Sequence, residues 1–412
     1  MVPKGWERKA LDEISDVIDC KHRTPKYVKN GIPLVSPGTI KWGAIDLESP
    51  TKRVTAEEYE SLMDHCTVEY GDLVLSRNQS VGIASFVDSD KPFVLGQDTV
   101  LVKPKGSDPR FLFYNLQSTD TQKTIFKLAG GSTFSRINLG DIRKLKAIYP
   151  PFAEQQKIAK ILSTWDKAIS TTERLIENSI QQKKALMQQL LTGKKRLLDE
   201  SGKRFEGEWK VVKLQSVLDL MRSGLSRKLE NDNVGIAVIR SNNMGSKYTN
   251  NVDLKYWYLD DPQGANVSNY ILDDGDLLVN FINSLSQIGK ACIYRKNLDV
   301  DAIYTTNILR IKPNTDKVDP IYLYLLTQTA NYDSYITSIT KPAVNQASFT
   351  TKEFGNLEFN LPSLKEQQKI ATVLINADKE IELLEQQLAD LQQEKKALMQ
   401  VLLTGKVRVV VE

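Results

Sequence analysis

Apolar residues recur every seven positions in two long segments of the chain, one at its C-terminal end and one near its middle. In the C-terminal segment one row begins at Ile370, and a parallel row begins four residues later at Leu374. Two such rows are typical of a coiled-coil seam, in which a helix buries its apolar residues against a partner helix. The rows of this segment contain Ile370, Leu374, Ala377, Ile381, Leu384, Leu388, Leu391, Leu398 and Leu402.

The middle segment has the same two rows, although Thr172 and Ser179 weaken the first row and Lys183 interrupts the second. Lys395 interrupts the C-terminal segment at the matching place. Each stripe covers about 37 residues, or roughly 55 Å of helix, which is longer than a small domain is wide. An amphipathic helix usually lies on its own domain. Two long helices with matching seams favour pairing with each other instead, and the intervening domain lets the chain return to make this pairing antiparallel. The rows of the middle segment contain Ile158, Leu162, Trp165, Ile169, Ile176, Leu186 and Leu190.

The two helical segments also share sequence at both ends. The hexapeptide EQQKIA occupies residues 154–159 and returns at 366–371, and LLTGK occupies residues 190–194 and returns at 402–406. Ser363 and Glu366 have the spacing of a capping box at the start of the second helix. The glycine of each LLTGK lies where a helix C-cap is expected. The repeat therefore predicts two equivalent helices.

The segments before the helices mix strand-like and helix-like stretches and resemble each other only loosely. A turn followed by a strand is predicted at residues 71–75 and again at 275–279, and further strands are predicted at 99–102 and 308–311. An Asp-Pro pair then precedes an aromatic-rich stretch that is predicted to be helical in each half, at 111–116 and 322–326. The two domains are therefore predicted to share a fold.

A charged segment with two glycines, residues 194–208, is predicted to link the halves. The order along the chain is domain, helix, domain, helix. The predicted limits are 1–149 for the first domain, 150–193 for its helix, 194–208 for the linker, 209–361 for the second domain, 362–405 for its helix and 406–412 for a C-terminal tail.

Composition narrows the class of protein. A chain of 412 residues is long enough for two domains that each bury a core. Its 55 basic and 51 acidic residues nearly balance, so a nucleic-acid surface has to be a local patch. The three cysteines are odd in number and unpatterned, which argues against a disulfide framework and for a reducing compartment. No segment approaches the roughly 18 apolar residues of a membrane span, and we expect a cytoplasmic protein.

Several polar loops of the first domain have the residue types that contact DNA. Specific binding needs phosphate ligands for position and base-edge ligands for sequence, and Arg, Lys, Asn and Gln supply the base-edge contacts. The loop 76–80 directly follows a predicted strand, and 21–25 and 131–136 have a similar composition. Each could equally be an ordinary solvated turn. The candidate residues of this domain are Lys21, Arg23, Arg77, Asn78, Gln79, Ser132 and Arg136.

The second domain has loops at corresponding places but different side chains in them. The loop after its predicted strand, 280–287, contains amides and no arginine, whereas 240–243 places an arginine beside two amides. Different side chains at equivalent tips would read different bases. The candidate residues here are Arg222, Arg227, Arg240, Asn242, Asn243, Asn280, Asn283, Gln287, Lys341, Asn345 and Gln346.

This layout, with EQQKIA at each helix start and LLTGK at each helix end, resembles the DNA-specificity subunit of type I restriction-modification systems over essentially the whole chain. The resemblance implies an α+β protein with two similar mixed α/β target-recognition domains, each followed by a long helix. The two helices would pair as an antiparallel coiled coil with pseudo-twofold symmetry. Each domain would read one half of a bipartite site.

The resemblance also implies partners. Two adenine-methyltransferase subunits would dock on the helices, and restriction subunits would complete the nuclease. S-adenosylmethionine, ATP and magnesium would then be bound by partner subunits and none by this chain. A spacer of roughly 50 Å would place the half-sites about one turn of duplex apart, with roughly 5 to 8 unread base pairs between them.

The sequence contains no recognisable motif of a catalytic site. The tetrapeptide 319–322, DPIY, lacks the second proline of the amino-methyltransferase motif Asp-Pro-Pro-Tyr and is predicted to begin a helix. Gly289 and Lys290 are followed by alanine rather than by the Ser or Thr of a P-loop. Cys20 with His22 and His65 with Cys66 could ligate zinc, but adjacent ligands rarely point at one metal, and we expect no metal site.

Three hypotheses remain from different classes of protein. The first is a non-catalytic specificity subunit. The second is a single-chain methyltransferase or nuclease, which would need a cofactor domain of some 200 more residues. The third is a coiled-coil adaptor that works without methylation subunits. Co-purification with two methyltransferase subunits per chain would favour the first, and tight sequence-specific binding by the isolated chain would favour the third.

Overall fold

A computed structural model describes residues 2–130, 136–343 and 346–411. The chain divides into two compact units, unit 1 formed by Met1–Leu175 with Leu384–Glu412 and unit 2 formed by Ile176–Leu383. Each unit combines a mixed α/β domain with the first part of one long helix and the last part of the other. No helix among the described residues is long and apolar enough to span a membrane.

The first domain consists of short strands and short helices, and the first long helix follows it. The strands are β1 (Glu7–Ala10), β2 (Ser15–Asp19), β3 (Ile32–Val35), β4 (Gly43–Ala44), β5 (Arg53–Val54), β6 (Leu73–Ser76), β7 (Ala84–Phe86), β8 (Val94–Leu95), β9 (Thr99–Pro104) and β10 (Lys146–Tyr149). The helices are α1 (Leu11–Ile14), α2 (Ala56–Met63), α3 (Pro109–Gln117), α4 (Thr119–Leu128), α5 (Leu139–Arg143) and α6 (Phe152–Leu191).

The second domain has a similar order, with a short 3-10 helix, Val267–Tyr270, where the first domain has α2. Its strands are β11 (Lys210–Lys213), β12 (Leu218–Ser223), β13 (Gly235–Ile239), β14 (Lys255–Tyr258), β15 (Leu277–Asn280), β16 (Ile282–Asn283), β17 (Ala291–Ile293), β18 (Ala302–Tyr304), β19 (Ile308–Pro313), β20 (Lys341–Pro342), β21 (Ala347–Ser348) and β22 (Glu358–Leu361). Its helices are α7 (Pro320–Leu326), α8 (Ala330–Ile339), α9 (Thr351–Gly355) and α10 (Leu364–Leu402).

The sheets of the two domains have matching topologies. In unit 1 the strand orders are β2-β9-β6-β7-β4, β5-β3-β8 and β1-β10. In unit 2 they are β12-β19-β15-β17, β14-β13-β18 and β11-β22, with an additional small sheet β16-β21-β20. The prediction that both domains share a fold is therefore confirmed.

Each domain has two apolar cores that lie on opposite faces of one strand, β6 in the first domain and β15 in the second. In β6, Leu73 and Leu75 face the core that packs on the long helices, whereas Val74 faces a second core under β3 and α2. In β15, Leu277 and Val279 face the helix side, and Leu278 faces the other side. Successive side chains of a strand point to opposite faces, so a continuous apolar run serves two cores.

The two Asp-Pro pairs begin helices, as predicted. Asp108 accepts a hydrogen bond from the backbone N–H of Phe111 at 2.8 Å and caps α3, and Asp319 accepts one from Tyr322 at 2.9 Å and caps α7. The following proline fits the first turn because its missing N–H has no helical partner there. The interpretation of 319–322 as a helix start is therefore confirmed.

The long helices run antiparallel within each unit. In unit 1, Ile158 and Leu162 near the start of α6 share a core with Leu402 at the end of α10. In unit 2, Ile370 and Leu374 near the start of α10 share a core with Leu190 at the end of α6. The predicted α+β architecture with two long helices packed together is confirmed. Every apolar residue of the predicted seam is buried or half-buried.

Both helices end as the sequence predicts, but the capping box is only half formed. Gly193 and Gly405 adopt left-handed φ values of 72° and 67°, which glycine adopts without a steric penalty. Ser363 accepts a hydrogen bond from the Glu366 backbone N–H at 3.4 Å. The Glu366 carboxylate turns away from the cap, because Arg196 and Trp209 bind it. The predicted reciprocal bond of Glu366 is therefore wrong.

Candidate nucleic-acid interface

Three loops of unit 1 converge at one end of the sheet around β6. The loop after β6 meets the turn after β3, because Ser80 Oγ donates to the Pro37 carbonyl oxygen at 2.9 Å. It also meets the turn before β9, where the backbone N–H of Arg77 donates to the backbone carbonyl oxygen of Asp98 at 2.8 Å. The strands that carry these loops are neighbours in the sheets, so their ends form one surface. We call these loops, residues 36–39, 77–80 and 96–98, the unit 1 tip.

Arg77 lies inside this tip rather than on its surface. The residue is 5% exposed, and its guanidinium donates to both carboxylate oxygens of Asp19 at 2.8 and 3.0 Å and to the Ile137 carbonyl oxygen at 3.2 Å. Nη1 makes both contacts to Asp19 and Nε makes the contact to Ile137, so separate nitrogens of one rigid group bind two segments. Arg77 therefore joins β2, β6 and the segment before α5.

Lys21 and Arg23 lie beside helix α2, where acidic side chains bind them. Lys21 Nζ contacts Asp64 at 2.6 Å, and Arg23 contacts Glu58 at 2.6 Å. The hydrogen bond from Lys21 lowers the pKa of Asp64, and the hydrogen bond from Arg23 lowers the pKa of Glu58. Both cations remain close to the surface, but each already has an anionic partner.

Arg136 is also paired with a carboxylate beside this tip. Its guanidinium contacts Asp98 at 2.7 Å, and its backbone forms a bridge with Asn78. Ser132, another candidate, lies outside the described residues. The structure thus brings Arg23, Asn78 and Arg136 to the same end of the domain as Gln79.

A polar cavity of about 280 Å³ opens between these loops. The candidates Arg23, Asn78 and Gln79 line it, together with Lys52 and Gln97, which sequence reasoning missed. Lys52 lies in the segment before β5, and Gln97 lies just before β9. Loop composition alone did not distinguish them, because only the fold brings these segments together.

Within the described ranges, the group of side chains that most resembles a metal site is Asp19, Cys20 and His22. Their potential ligand atoms lie within 4.8 Å of one another. Arg77 binds both oxygens of Asp19, and His22 Nε2 lies 3.0 Å from one of them, so the carboxylate already has protein partners. Burial raises the pKa of the Cys20 thiol, which opposes formation of the thiolate that binds metals. We therefore explain the cluster as an ion-pair network.

The loops of unit 2 that correspond to the unit 1 tip are residues 240–243, 281–287 and 305–307, and we call them the unit 2 tip. Amides and hydroxyls hold these loops together. Ser241 Oγ donates to Asn280 Oδ1 at 2.9 Å, and Asn307 Nδ2 donates to Ser241 Oγ at 2.6 Å. Asn283 Nδ2 adds a longer bond to Asn280 Oδ1 at 3.3 Å. Asn280 is 3% exposed, because it is the last residue of β15 rather than part of the following loop. Asn243 is also buried and donates to the Val252 carbonyl oxygen at 2.7 Å.

The candidate arginines of unit 2 also have internal partners. Arg227 contacts Asp261 at 2.5 Å, and this hydrogen bond holds the pKa of Asp261 well below its usual range. Arg240 contacts the Asp253 carboxylate at 3.0 Å. Arg222 donates to the Asn269 carbonyl oxygen at 2.9 Å and lies over the Tyr270 ring. Each arginine therefore connects two segments of its own domain.

The remaining candidates of unit 2 lie nearer to solvent. Asn242 and Gln287 are exposed, and Lys341 is exposed while it contacts Glu353 at 2.9 Å. Gln346 accepts a backbone hydrogen bond from Ala343 at 2.7 Å. Asn345 lies outside the described residues.

The first residue of the repeated EQQKIA motif has a role that sequence reasoning missed. In unit 1, Glu154 accepts a hydrogen bond from Trp6 Nε1 at 3.3 Å and from Arg408 Nε at 2.9 Å. Arg408 also donates to the Lys4 carbonyl oxygen at 2.9 Å. The start of α6, the start of the domain and the segment after α10 are thus joined at one carboxylate.

The same cluster occurs in unit 2. Glu366 accepts from Arg196 Nε at 2.5 Å, from Arg196 Nη2 at 2.7 Å and from Trp209 Nε1 at 3.2 Å. Arg196 also donates to the Gly207 carbonyl oxygen at 3.1 Å. The matching positions of Trp6 with Trp209 and of Arg196 with Arg408 were visible in the sequence, but their partner was not.

The second residue of the motif fixes each domain to its helix. Gln155 Oε1 accepts from Ser107 Oγ and from the Asp108 N–H, both at 2.9 Å. Gln367 Oε1 accepts from the Asp319 N–H at 2.9 Å. Gln155 and Gln367 are 4% and 0% exposed, so their amides satisfy backbone groups in the interior.

The lysines that interrupt the helix seams are paired across the helices. Lys395 of α10 contacts Asp166 of α6 at 2.5 Å, and Asp166 also accepts a hydrogen bond from Tyr114 at 2.6 Å. In unit 2, Lys183 of α6 contacts Asp378 of α10, and Lys247 contacts the same carboxylate at 3.4 Å. A polar pair inside an apolar seam favours one register over others.

Comparison with known proteins gives one family for this fold. The family model described as the type I restriction modification DNA specificity domain matches residues 3–182 and 206–393. The type I restriction enzyme EcoKI specificity subunit of Escherichia coli is 23% identical over 385 residues, which cover 90% of this chain and 81% of that protein. The putative type I restriction enzyme MjaX specificity subunit of Methanocaldococcus jannaschii is 31% identical over 198 residues. That match covers 48% of this chain and less than half, 46%, of the relative.

A solved structure shows the same fold. The S subunit of a type I restriction-modification system from M. genitalium superposes with a TM-score of 0.58 at 16% sequence identity. The alignment covers 98% of this chain and 99% of that chain. At this level of identity the similarity concerns the fold alone.

Proposed function

Because the chain belongs to the family of type I restriction modification DNA specificity domains, we propose that each of its two domains reads one half of a bipartite DNA target. Family membership makes it a non-catalytic specificity subunit that gives a restriction-modification complex its DNA target. The further proposal is the division of this task between the domains, which directs methylation and restriction to one site.

The two domains share a framework of sheets but differ in the side chains at their tips, and this contrast supports the proposal. Both domains have equivalent sheets, and the same loops converge at the end of the central strand in each. The unit 1 tip presents Asn78 and Gln79, whereas the unit 2 tip presents Asn242 and Gln287. A constant framework with variable tips suits two readers of different sequences.

We propose that the long helices dock two adenine-methyltransferase subunits and hold the domains at the distance between the half-sites. The twin clusters at Glu154 and Glu366 and the twin lysine pairs support this, because they repeat the same helix framework twice, and a duplicated framework offers equivalent positions to two copies of one partner. Restriction subunits would join the same complex. S-adenosylmethionine, ATP and magnesium would be bound by the partner subunits.

The recognition domains of this proposal are residues 1–149 and 209–361. The helical spacers are 150–193 and 362–405, the linker is 194–208 and the tail is 406–412. The candidate contacts are the exposed members of the sequence-predicted sets. The buried residues Arg77, Asn243 and Asn280 would support the loops that carry those contacts.

Exchange of the first domain tests the proposal. Residues 1–149 are replaced by the first domain of another specificity subunit, and methylated adenines are mapped in a host that expresses the complete complex. We expect one half-site to change while the other half-site and the spacer stay the same. A change in both half-sites, or in neither, would refute the modular assignment.

A further inference from the structure

The three arginines in and beside the unit 1 tip are already matched by carboxylates of the same domain. Arg77 binds Asp19, Arg23 binds Glu58 and Arg136 binds Asp98. An arginine that reads guanine must present both ends of its guanidinium to the base. Here a base contact would have to compete with an ion pair, so these arginines are poorly placed to act as the main base readers.

Gln79 belongs to the same tip and is exposed. Its backbone has a left-handed φ of 57°, a conformation that glycine or asparagine adopts more readily than glutamine. Asn78 stabilises this turn, because its side-chain oxygen accepts the Gln79 N–H at 2.7 Å. Strained backbone that the surroundings hold in place is typical of functional loops.

The Gln79 side chain lines the polar cavity next to a glycine. Its Oε1 lies 3.4 Å from where a Cβ would stand on Gly38. Within the described residues its amide has no hydrogen-bond partner, whereas the Asn78 amide donates to Asp98 at 3.4 Å. Gln79 therefore keeps both a donor and an acceptor for a ligand, and this pair is complementary to the N7 and N6 edge of adenine.

We propose that Gln79 is a specificity-determining residue that reads an adenine in the half-site of the first domain. This inference rests on the proposed function, in which the first domain reads one half-site. Asn78 acts as a positioning residue, because it fixes the turn that presents Gln79. Lys52 lies on the rim of the same cavity, over the Tyr27 ring at 5.2 Å, where it would contact a phosphate and position the base.

Two substitutions at Gln79 separate recognition from folding. Glycine suits the left-handed backbone, so Gln79→Gly removes the amide while the chain stays at least as resistant to urea as the wild type. Gln79→Glu keeps the size and replaces the donor by an acceptor, which matches the amino group of cytosine. Gln215→Glu, an exposed change between β11 and β12 that lies outside the tips and the long helices, is the matched control for added negative charge.

The test expresses the full chain with its methyltransferase and restriction partners and maps methylated adenines in the host genome. We expect Gln79→Gly to lose about 5- to 150-fold discrimination at one adenine of the first half-site, with the second half-site and the spacer unchanged. Gln79→Glu should shift that position toward cytosine, and Gln215→Glu should leave the motif unchanged.

The outcomes distinguish the two proposals. A bipartite wild-type motif that persists unchanged in both Gln79 variants would overturn the assignment of Gln79 and leave the proposed function intact. A change confined to the second half-site would also overturn it. If the wild-type complex methylates no bipartite motif, the proposed function itself fails.

Discussion

At the scale of single residues, burial and neighbouring charges decide what a polar side chain does. Arg77 and Gln79 are two positions apart in one loop, yet Arg77 is buried on Asp19 and Gln79 is exposed. Glu154 and Glu366 look like solvated residues of a first helical turn, but they are 8% and 0% exposed. Their carboxylates join three segments of each unit.

Replacing Arg196 by Met is expected to destabilise unit 2. The Glu366 side chain is 1% exposed, so loss of the guanidinium leaves a buried carboxylate with only Trp209 as a side-chain donor. Breaking such a pair costs about 3 kcal/mol. Hydrogen-deuterium exchange, which resolves unit 2 peptides separately, should report this loss as lower protection at the start of α10.

Lys195→Met is the matched control, because Lys195 is an exposed neighbour of the half-buried Arg196. It should leave exchange in α10 unchanged. The equivalent Arg408 and Glu154 pair is intact in both variants and provides an internal reference. Equal exchange in Arg196→Met and Lys195→Met would contradict the role assigned to the Glu366 cluster.

At the scale of elements, the interrupted seam of the long helices is explained by polar pairs. Lys183 and Lys395 stand at apolar positions of the heptad, and each meets an aspartate of the opposite helix. A slipped register would leave these half-buried charges without partners, which is costly in an apolar seam. The apolar rows drive association, and the ion pairs restrict its register.

Replacing Asp378 by Asn should destabilise the helix pair more than the equivalent change at Asp166. Asp378 contacts two lysines and its side chain is 17% exposed, whereas Asp166 contacts one lysine and its side chain is 39% exposed. We expect a loss of about 2 kcal/mol in the free energy of unfolding for Asp378→Asn, and less for Asp166→Asn. Urea unfolding of the purified complex measures both.

Asp390→Asn is the control on the same helix. Asp390 is exposed and accepts a hydrogen bond from Gln386 at 2.9 Å, so its replacement should change the free energy of unfolding by no more than about 0.5 kcal/mol. If Asp378→Asn unfolds like this control, the lysine pairs do not stabilise the register.

At the scale of the whole molecule, one chain contains the same arrangement twice. α6 and α10 span 40 and 39 residues, and each begins and ends with the same motif. The domains before them share a topology but differ at their tips. If the helices set the distance between half-sites, their length should set the number of unread base pairs.

Adding four residues, about one turn, to both helices should lengthen the spacer by roughly one or two base pairs. The reason is that four residues add about 6 Å of helix, and duplex rises about 3.4 Å per base pair. Mapping of methylated adenines in cells that express the complex measures the spacer.

A four-residue insertion at the exposed turn around Gly202 is the matched control, because this linker lies outside the helices. It should leave the spacer unchanged. The proposed ruler would be abandoned if the helical insertion preserved both half-sites and the original spacer.

Much of the framework was predictable because periodic patterns report burial directly. The heptad rows, the capping Asp-Pro pairs and the terminal glycines are local signals, and the structure confirms the elements that they predict. The candidate site was less predictable. Arg77 and Asn280 have the composition of contact residues, but the fold buries both.

The sequence by itself determined the order of domains, the two helices and their equivalence, because these depend on spacing along the chain. Only the tertiary structure decided which charges meet. Glu154 with Arg408 and Asp166 with Lys395 are distant in sequence, and no local pattern relates them. Whether a cation at a tip is available to a ligand or held by a carboxylate is likewise a property of the assembled loops. That difference separates Gln79 from the arginines around it.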